Sequence, residues 1–130
     1  MRILIAASES VPFIKTGGLA DVTGALFKEY GKMKEEACLM LPLYRAIKEN
    51  FDPADTGLKV SIPVGDRLFD SRVFSHGKGV FFVECVEFFD RPDIYGTPEG
   101  DYADNASRFI FFCRAVLELC KALNFRPDVV

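Results

Sequence analysis

One stretch of this sequence has the residue types to hold a charged ligand: Lys15-Thr16-Gly17-Gly18-Leu19-Ala20-Asp21-Val22. Two adjacent glycines carry no Cβ, so a ligand can approach the backbone closely there. Apolar residues at steps of three and four begin directly after them and predict a helix. The first amides of a helix have no intrahelical partner and carry partial positive charge. Lys15 adds a full positive charge beside that helix start. Together these groups suit a phosphate or a sugar oxygen. The spacing is neither GxxxxGK[ST] nor GxGxxG. On the residues alone, a plain strand-to-helix turn accounts for the two glycines as well as a binding loop does. Asp21 is open in the same way, since an acid in the first turn is favoured by the helix dipole whether or not it meets a ligand.

The flanking elements must place this loop. Arg2 to Ala7 is a continuous apolar run and reads as a buried parallel strand. Ser8 to Gly18 is a loop broken by Pro12. The helix after it carries Leu19, Val22, Leu26, Tyr30 and Met33 on one apolar stripe, and ends near Gly31 and the charged residues 32–36. Ala37 to Leu41 is a second buried strand, stopped by Pro42, and Leu43 to Asn50 is a short helix. Strand, glycine loop, helix and strand make one βαβ unit, which builds parallel sheet. The loop then falls at the carboxyl end of a strand, where open α/β sheets bind ligands. Next come three strand-like runs, Leu58–Val64, Leu68–Ser75 and Val80–Val86. They are separated by Gly65-Asp66 and by His76-Gly77-Lys78-Gly79, which read as hairpin turns. Phe88-Phe89 leads into a loop over 90–102. A last helix spans about 106–123, with Phe109, Phe112, Cys113, Val116, Leu117, Cys120 and Leu123 as its stripe and Asp104 or Asn105 as its cap. Asp128-Val129-Val130 reads as the opening of another strand, so the chain looks cut within a domain.

Length and composition bound the rest. The 130 residues suit one domain, and 49% hydrophobic residues with thirteen phenylalanines can build a core without disulfides or metal. A formal charge of −3 leaves no basic excess for a nucleic-acid partner. No apolar run reaches the ~20 residues of a membrane helix. Cys38, Cys85, Cys113 and Cys120 all lie in apolar stretches, in no metal-binding spacing. They read as buried, reduced thiols of a cytoplasmic protein. His76 falls in a turn and reads as a surface residue. Glu9 and Ser10 flank the glycine loop, either lining a cleft or acting as local turn partners.

The run from Ala7 to Val22, read in full as Ala-Ser-Glu-Ser-Val-Pro-Phe-Ile-Lys-Thr-Gly-Gly-Leu-Ala-Asp-Val, resembles the amino-terminal signature of the glycogen and starch synthases. The resemblance continues in order through Leu41-Pro42-Leu43-Tyr44, Asp90 to Gly96, Gly100-Asp101-Tyr102-Ala103-Asp104-Asn105 with Phe109 and Phe112, and Arg126-Pro127-Asp128-Val129-Val130. Residues 60–86 are the least diagnostic. The turn before the second strand departs from the family, since Lys34-Glu35-Glu36-Ala37-Cys38 stands where members carry a Gly-His-x-Val-like turn.

The resemblance implies an α/β fold: a Rossmann-like, parallel-core sheet with helices on both faces and an antiparallel hairpin excursion. Residues 1–130 would be a partial N-terminal lobe of a GT-B glycosyltransferase, with the second lobe absent. It implies transfer of glucose from ADP-glucose to the non-reducing end of an α-1,4-glucan such as glycogen, with retention and without metal or cofactor. By the same resemblance Lys15, Gly17 and Gly18 would meet the diphosphate and donor sugar, Asp21 would contribute to the donor site, and Tyr95 would stand near the cleft. The catalytic set would be incomplete in this chain and the chain alone inactive. Apolar surface left uncovered would favour self-association. A GT-B transferase using another nucleotide sugar such as UDP-glucose, and a non-catalytic flavodoxin-like binding module, are the competing readings. The hairpin-like middle of the chain argues against the latter.

Overall fold

The computed structural model describes residues 1–130. Its elements in chain order are β1 (Arg2–Ala6), α1 (Gly18–Lys32), β2 (Glu36–Pro42), α2 (Arg45–Phe51), β3 (Ala54–Val64), β4 (Arg67–Ser75), β5 (Val80–Val83), α3 (Val86–Phe89), β6 (Gly96–Thr97), β7 (Gly100–Asp101) and α4 (Asn105–Ala122). Five strands form one sheet in the order β1-β2-β5-β4-β3, while β6 and β7 form a separate small hairpin.

β1 pairs with β2 in parallel, Ile3 opposite Ala37 and Ile5 opposite Leu39, and β2 pairs in parallel with β5, Leu41 opposite Phe82. Val129 forms a parallel bridge with Ile3 on the outer side of β1. Alternate residues of a strand point to opposite faces, yet Cys38, Leu39, Met40 and Leu41 are all 3% exposed or less. Both faces of β2 are therefore covered, which is why its sequence is apolar without alternation. α1 packs on β2, and α4 packs on β3 and β5.

β5 turns back antiparallel onto β4, and β4 onto β3, so the expected hairpin excursion extends one edge of the sheet. The β3–β4 turn is Gly65-Asp66, with Gly65 at φ 62°, the left-handed backbone that a two-residue hairpin loop needs. Here one face is wet: along β4, Ser71 and Val73 are buried while Asp70 and Arg72 are exposed. β3 begins at Ala54, four residues before the apolar run, because a register irregularity between Asp55 and Lys59 lets it keep pairing.

Both long helices lie where the periodicity places them, but rotated. On α1 and its C-cap, Leu19, Val22, Leu26 and Met33 are 42–65% exposed, whereas Ala20 and Thr23 are buried and Phe27 packs on the core. The Thr23 hydroxyl donates to the carbonyl of Glu9 at 2.8 Å. Gly24 lies under Val11 so closely that a Cβ there would stand 2.7 Å from the Val11 carbonyl oxygen. Small residues, not the large apolar ones, let this helix approach the loop. On α4 the buried face is Arg108, Phe111, Phe112, Ala115, Val116, Leu119 and Cys120, and Leu117 and Cys113 are exposed. Cys113 thus departs from the expectation of four buried thiols. Asp104 is the N-cap residue of α4, but no side chain caps the helix: the Asp104 carboxylate accepts from Arg91 at 2.7 Å instead. Phe88 and Phe89 belong to the short helix α3, and the expected loop over 90–102 contains the β6–β7 hairpin.

Candidate functional site

The parallel strands β1, β2 and β5 deliver their following segments to one end of the sheet. The loop after β1 carries Lys15, and the segment after β5, through α3, carries Tyr95. An open cleft of about 370 Å³ lies between them, with Ile14, Lys15 and Thr16 on one wall and Tyr95, Gly96 and Asp101 among the residues of the other. This is the carboxyl end of the parallel strands, as the strand-loop-helix pattern predicts. A wider cleft of about 800 Å³ opens at the amino ends, near Arg2, Cys38 and Gly79. Its Cys38 thiol is pushed up to about 12 by burial and is no nucleophile at neutral pH.

The Lys15 loop is held from below. Ser10 and Ile14 exchange backbone hydrogen bonds at 3.1 Å, and the Val11 amide donates to the Ala20 carbonyl of α1 at 3.0 Å. Glu9 is only 3% exposed, and its carboxylate accepts from both the amide and the hydroxyl of Thr16, at 2.6 and 2.7 Å. Of the two roles open to Glu9, the local one holds: it clamps the residue between Lys15 and Gly17. Ser10, fully buried, likewise serves the turn.

Gly17 is the N-cap residue of α1 with extended backbone, φ −158°, and Gly18 is the first residue of the helix. Any residue adopts that backbone, and a Cβ on either glycine would meet nothing within 4 Å. Neither conformation nor packing inside the chain therefore calls for glycine here. What the pair keeps clear is space in front of the helix start, where no side chain caps the first turn.

Asp21 neither points away nor merely decorates the dipole. Lys15 Nζ donates to both of its carboxylate oxygens, at 2.9 and 2.7 Å. The side chains are 50% and 55% exposed, so the pair is solvated and contributes little to stability. It does fix where the ammonium sits. Tyr95 is half-buried on the opposite wall. Its hydroxyl and the Ser8 Oγ are hydrogen-bonded at 2.6 Å, which joins the two walls across the cleft. Its carbonyl accepts from the Tyr102 amide at 3.0 Å and from Asn105 Nδ2 at 2.8 Å. Its ring lies 6.0 Å from that of Phe109. His76 is exposed, as expected of a turn residue, with its ring edge-on to Phe13 and Phe51.

The structure thus brings Lys15 and Tyr95 to one cleft, with Asp21 bound to Lys15 and the Gly17-Gly18 helix start following Thr16 in its wall. Ser8 and Arg108 are supporting residues that the residue patterns did not single out, and Asn105, read there only as a helix cap, joins Glu9 among them. One signal was present in the sequence: an asparagine and an arginine three apart, on the arc of a phenylalanine-rich helix that also carries Phe111, Phe112 and Ala115.

A parallel-core α/β lobe with a glycine-opened helix start at the carboxyl end of its sheet is an architecture that places ligand-binding loops at that end. Comparison with known proteins narrows it. The family model for the starch synthase catalytic domain matches residues 2–130. The glycogen synthase of Elusimicrobium minutum is 48% identical over 134 residues, covering all of this chain and 28% of that protein. The glycogen synthase of Thermodesulfovibrio yellowstonii is 39% identical over 148 residues, covering all of this chain and 30% of that protein. Among solved structures, the catalytic domain of starch synthase IV from Arabidopsis thaliana, bound to ADP and acarbose, superposes with a TM-score of 0.82 at 28% identity, over 98% of this chain and 27% of that one. The chain belongs to the starch synthase catalytic domain family. It spans less than a third of the length of the relatives it matches.

Proposed function

We propose that the protein to which this chain belongs transfers glucose from ADP-glucose to the non-reducing end of an α-1,4-glucan such as glycogen, with retention, and that residues 1–130 form part of its first lobe. The observation that carries this reading is the match of the whole chain to the starch synthase catalytic domain, with Lys15 and Tyr95 facing each other across one cleft. In this reading Lys15, Gly17 and Gly18 bind the donor diphosphate and sugar, Asp21 orients Lys15, and Tyr95 lines the opposite wall. The solved relative with ADP supports an adenine nucleotide.

The chemistry follows from charge. As the bond between glucose and ADP breaks, negative charge builds on the leaving diphosphate. In this reading the Lys15 ammonium and the uncapped amides of α1 would meet that developing charge, and fixed donors of this kind stabilise a transition state. Yet Asp21 neutralises Lys15 formally. This wall by itself offers little net positive charge to a diphosphate, so the chain alone should bind ADP-glucose feebly and transfer nothing. The remaining positive charge and the acid-base groups would come from the second lobe.

Glucose transfer to glycogen by the full-length protein, with ADP-glucose and UDP-glucose in parallel, tests the reading. Transfer from ADP-glucose that collapses in Lys15→Ala is the expected result. Transfer from UDP-glucose alone would shift the donor, and transfer from neither donor by a folded protein would overturn the reading.

A further inference from the structure

Arg108 is a buried charge with no counter-charge. Its side chain is 0% exposed, on the core face of α4, and no carboxylate pairs with it. Burial lowers its affinity for its own proton. Hydrophobic residues of similar volume would serve a core at least as well as a charge that must be desolvated. Aromatic faces offset part of the cost: the guanidinium lies 4.8 Å from the Tyr102 ring centroid, 5.2 Å from that of Phe89 and 5.3 Å from that of Phe109.

Nε and Nη1 are engaged, and the buried Nη2 has no hydrogen-bond partner. Nε donates to the Phe88 carbonyl at 2.7 Å, and Nη1 donates to the Ile94 carbonyl at 2.8 Å. The same Nη1 donates at 2.7 Å to Asn105 Oδ1. That bond orients the Asn105 amide, whose Nδ2 donates to the Tyr95 carbonyl at 2.8 Å. Two consecutive carbonyls, those of Ile94 and Tyr95, are thus held from the same helix. With the peptide planes on both sides of its Cα held, the Tyr95 Cα–Cβ bond has a set direction, and the hydrogen bond between its hydroxyl and the Ser8 Oγ selects the rotamer.

We propose that Arg108 and Asn105 are positioning residues that clamp the backbone on both sides of Tyr95 and so hold this tyrosine in the wall of the donor cleft. The proposal rests on the donor reading of that cleft given above. A rigid helix residue setting a loop aromatic matters because a small displacement of a positioning group can cost up to about 10²-fold in rate.

A double-mutant cycle on the full-length protein tests it. Asn105→Ala, Arg108→Lys, Tyr95→Ala and the Tyr95→Ala/Asn105→Ala pair are measured for kcat and for KM of ADP-glucose and of glycogen. Amide hydrogen exchange of the peptide covering 92–102 is followed in the same variants. Asn105→Ala and Arg108→Lys should each raise the donor KM about tenfold with the glycogen KM unchanged. The double variant should be no worse than Tyr95→Ala alone, since groups that act through one residue are not additive. Exchange over 92–102 should speed up while β2 stays protected. Should Arg108→Lys fail to fold, Asn105→Ala carries the test, because it removes the tyrosine clamp and leaves the core arginine. Additive effects in the cycle, or unchanged exchange over 92–102, would overturn the proposal. A folded wild type that uses neither sugar nucleotide would sink the donor reading instead, and the exchange data would still decide the clamp.

Discussion

Lys15 does two things at the residue scale: it projects a cation toward the cleft, and it binds Asp21 through both carboxylate oxygens. The two roles predict unequal mutants. In the full-length protein, Lys15→Ala should lower kcat by about 10²-fold or more, the usual loss when one fixed donor to a developing charge is removed. Asp21→Ala should cost less than about tenfold, because an exposed ion pair is worth only ~1 kcal/mol and Lys15 keeps its charge. Steady-state kinetics at saturating glycogen separates them. Equal losses would mean that Asp21 meets the substrate itself. Glu9 gives a second contrast. Its buried carboxylate is the sole side-chain partner of Thr16, and Glu9→Ala leaves the Thr16 amide without it. Thermal unfolding should show a loss of about 1–3 kcal/mol, together with a raised donor KM as the loop loosens.

At the scale of elements, what could be read from the sequence and what could not divide along a physical line. β1, β2 and the hairpins were legible because buried parallel strands are continuously apolar and Gly65 marks a turn. The position of α1 was legible, but its face was not: periodicity weights large side chains, whereas this helix packs through Ala20, Thr23 and Gly24. Gly24→Ala tests that packing. A Cβ there would run into Val11, whose carbonyl oxygen would lie 2.7 Å away. The variant should lose about 1–3 kcal/mol in denaturant unfolding despite the better helix propensity of alanine. A gain in stability would mean that the helix shifts freely away from the loop. Tyr95, Asn105 and Arg108 show the other limit. Their contacts cross from α4 to the segment before β6, and no local pattern encodes which carbonyl a side chain will meet. Glu84 ties α2 to β4 in the same non-local way, accepting from Lys48 and Arg72 at 2.9 Å each. Burial pushes its carboxyl up, but these two bonds outweigh it and leave it below the ordinary range. A carboxyl lowered by folding adds stability above the unfolded-chain value of about 4.3, and loses it as pH falls through the lowered value. Glu84→Gln should flatten that part of the pH-stability profile. Because Lys48 and Arg72 are 34% and 51% exposed, the effect should stay near ~1 kcal/mol.

For the molecule as a whole, the rotated α1 has a consequence. Its outward face carries Leu19, Val22 and Leu26 at spacings of three and four, 47%, 57% and 42% exposed, beside the cleft wall that Lys15 forms. Scattered apolar residues on a surface need no explanation, but several on one helix face favour association. The 130-residue chain should therefore self-associate through α1 as its concentration rises. Charge opposes association weakly, because the formal net charge is only −3. Sedimentation or light scattering should show a concentration-dependent rise in mass, and Val22→Glu with Leu26→Glu should abolish it. Both positions point outward, so the double variant should keep the far-ultraviolet circular dichroism of the wild type. A wild type that stays monomeric at high concentration would show that this stripe is too small to drive dimers. A double variant that still associates would move the contact elsewhere, the exposed β3 edge of the sheet being the next surface with unpaired backbone groups.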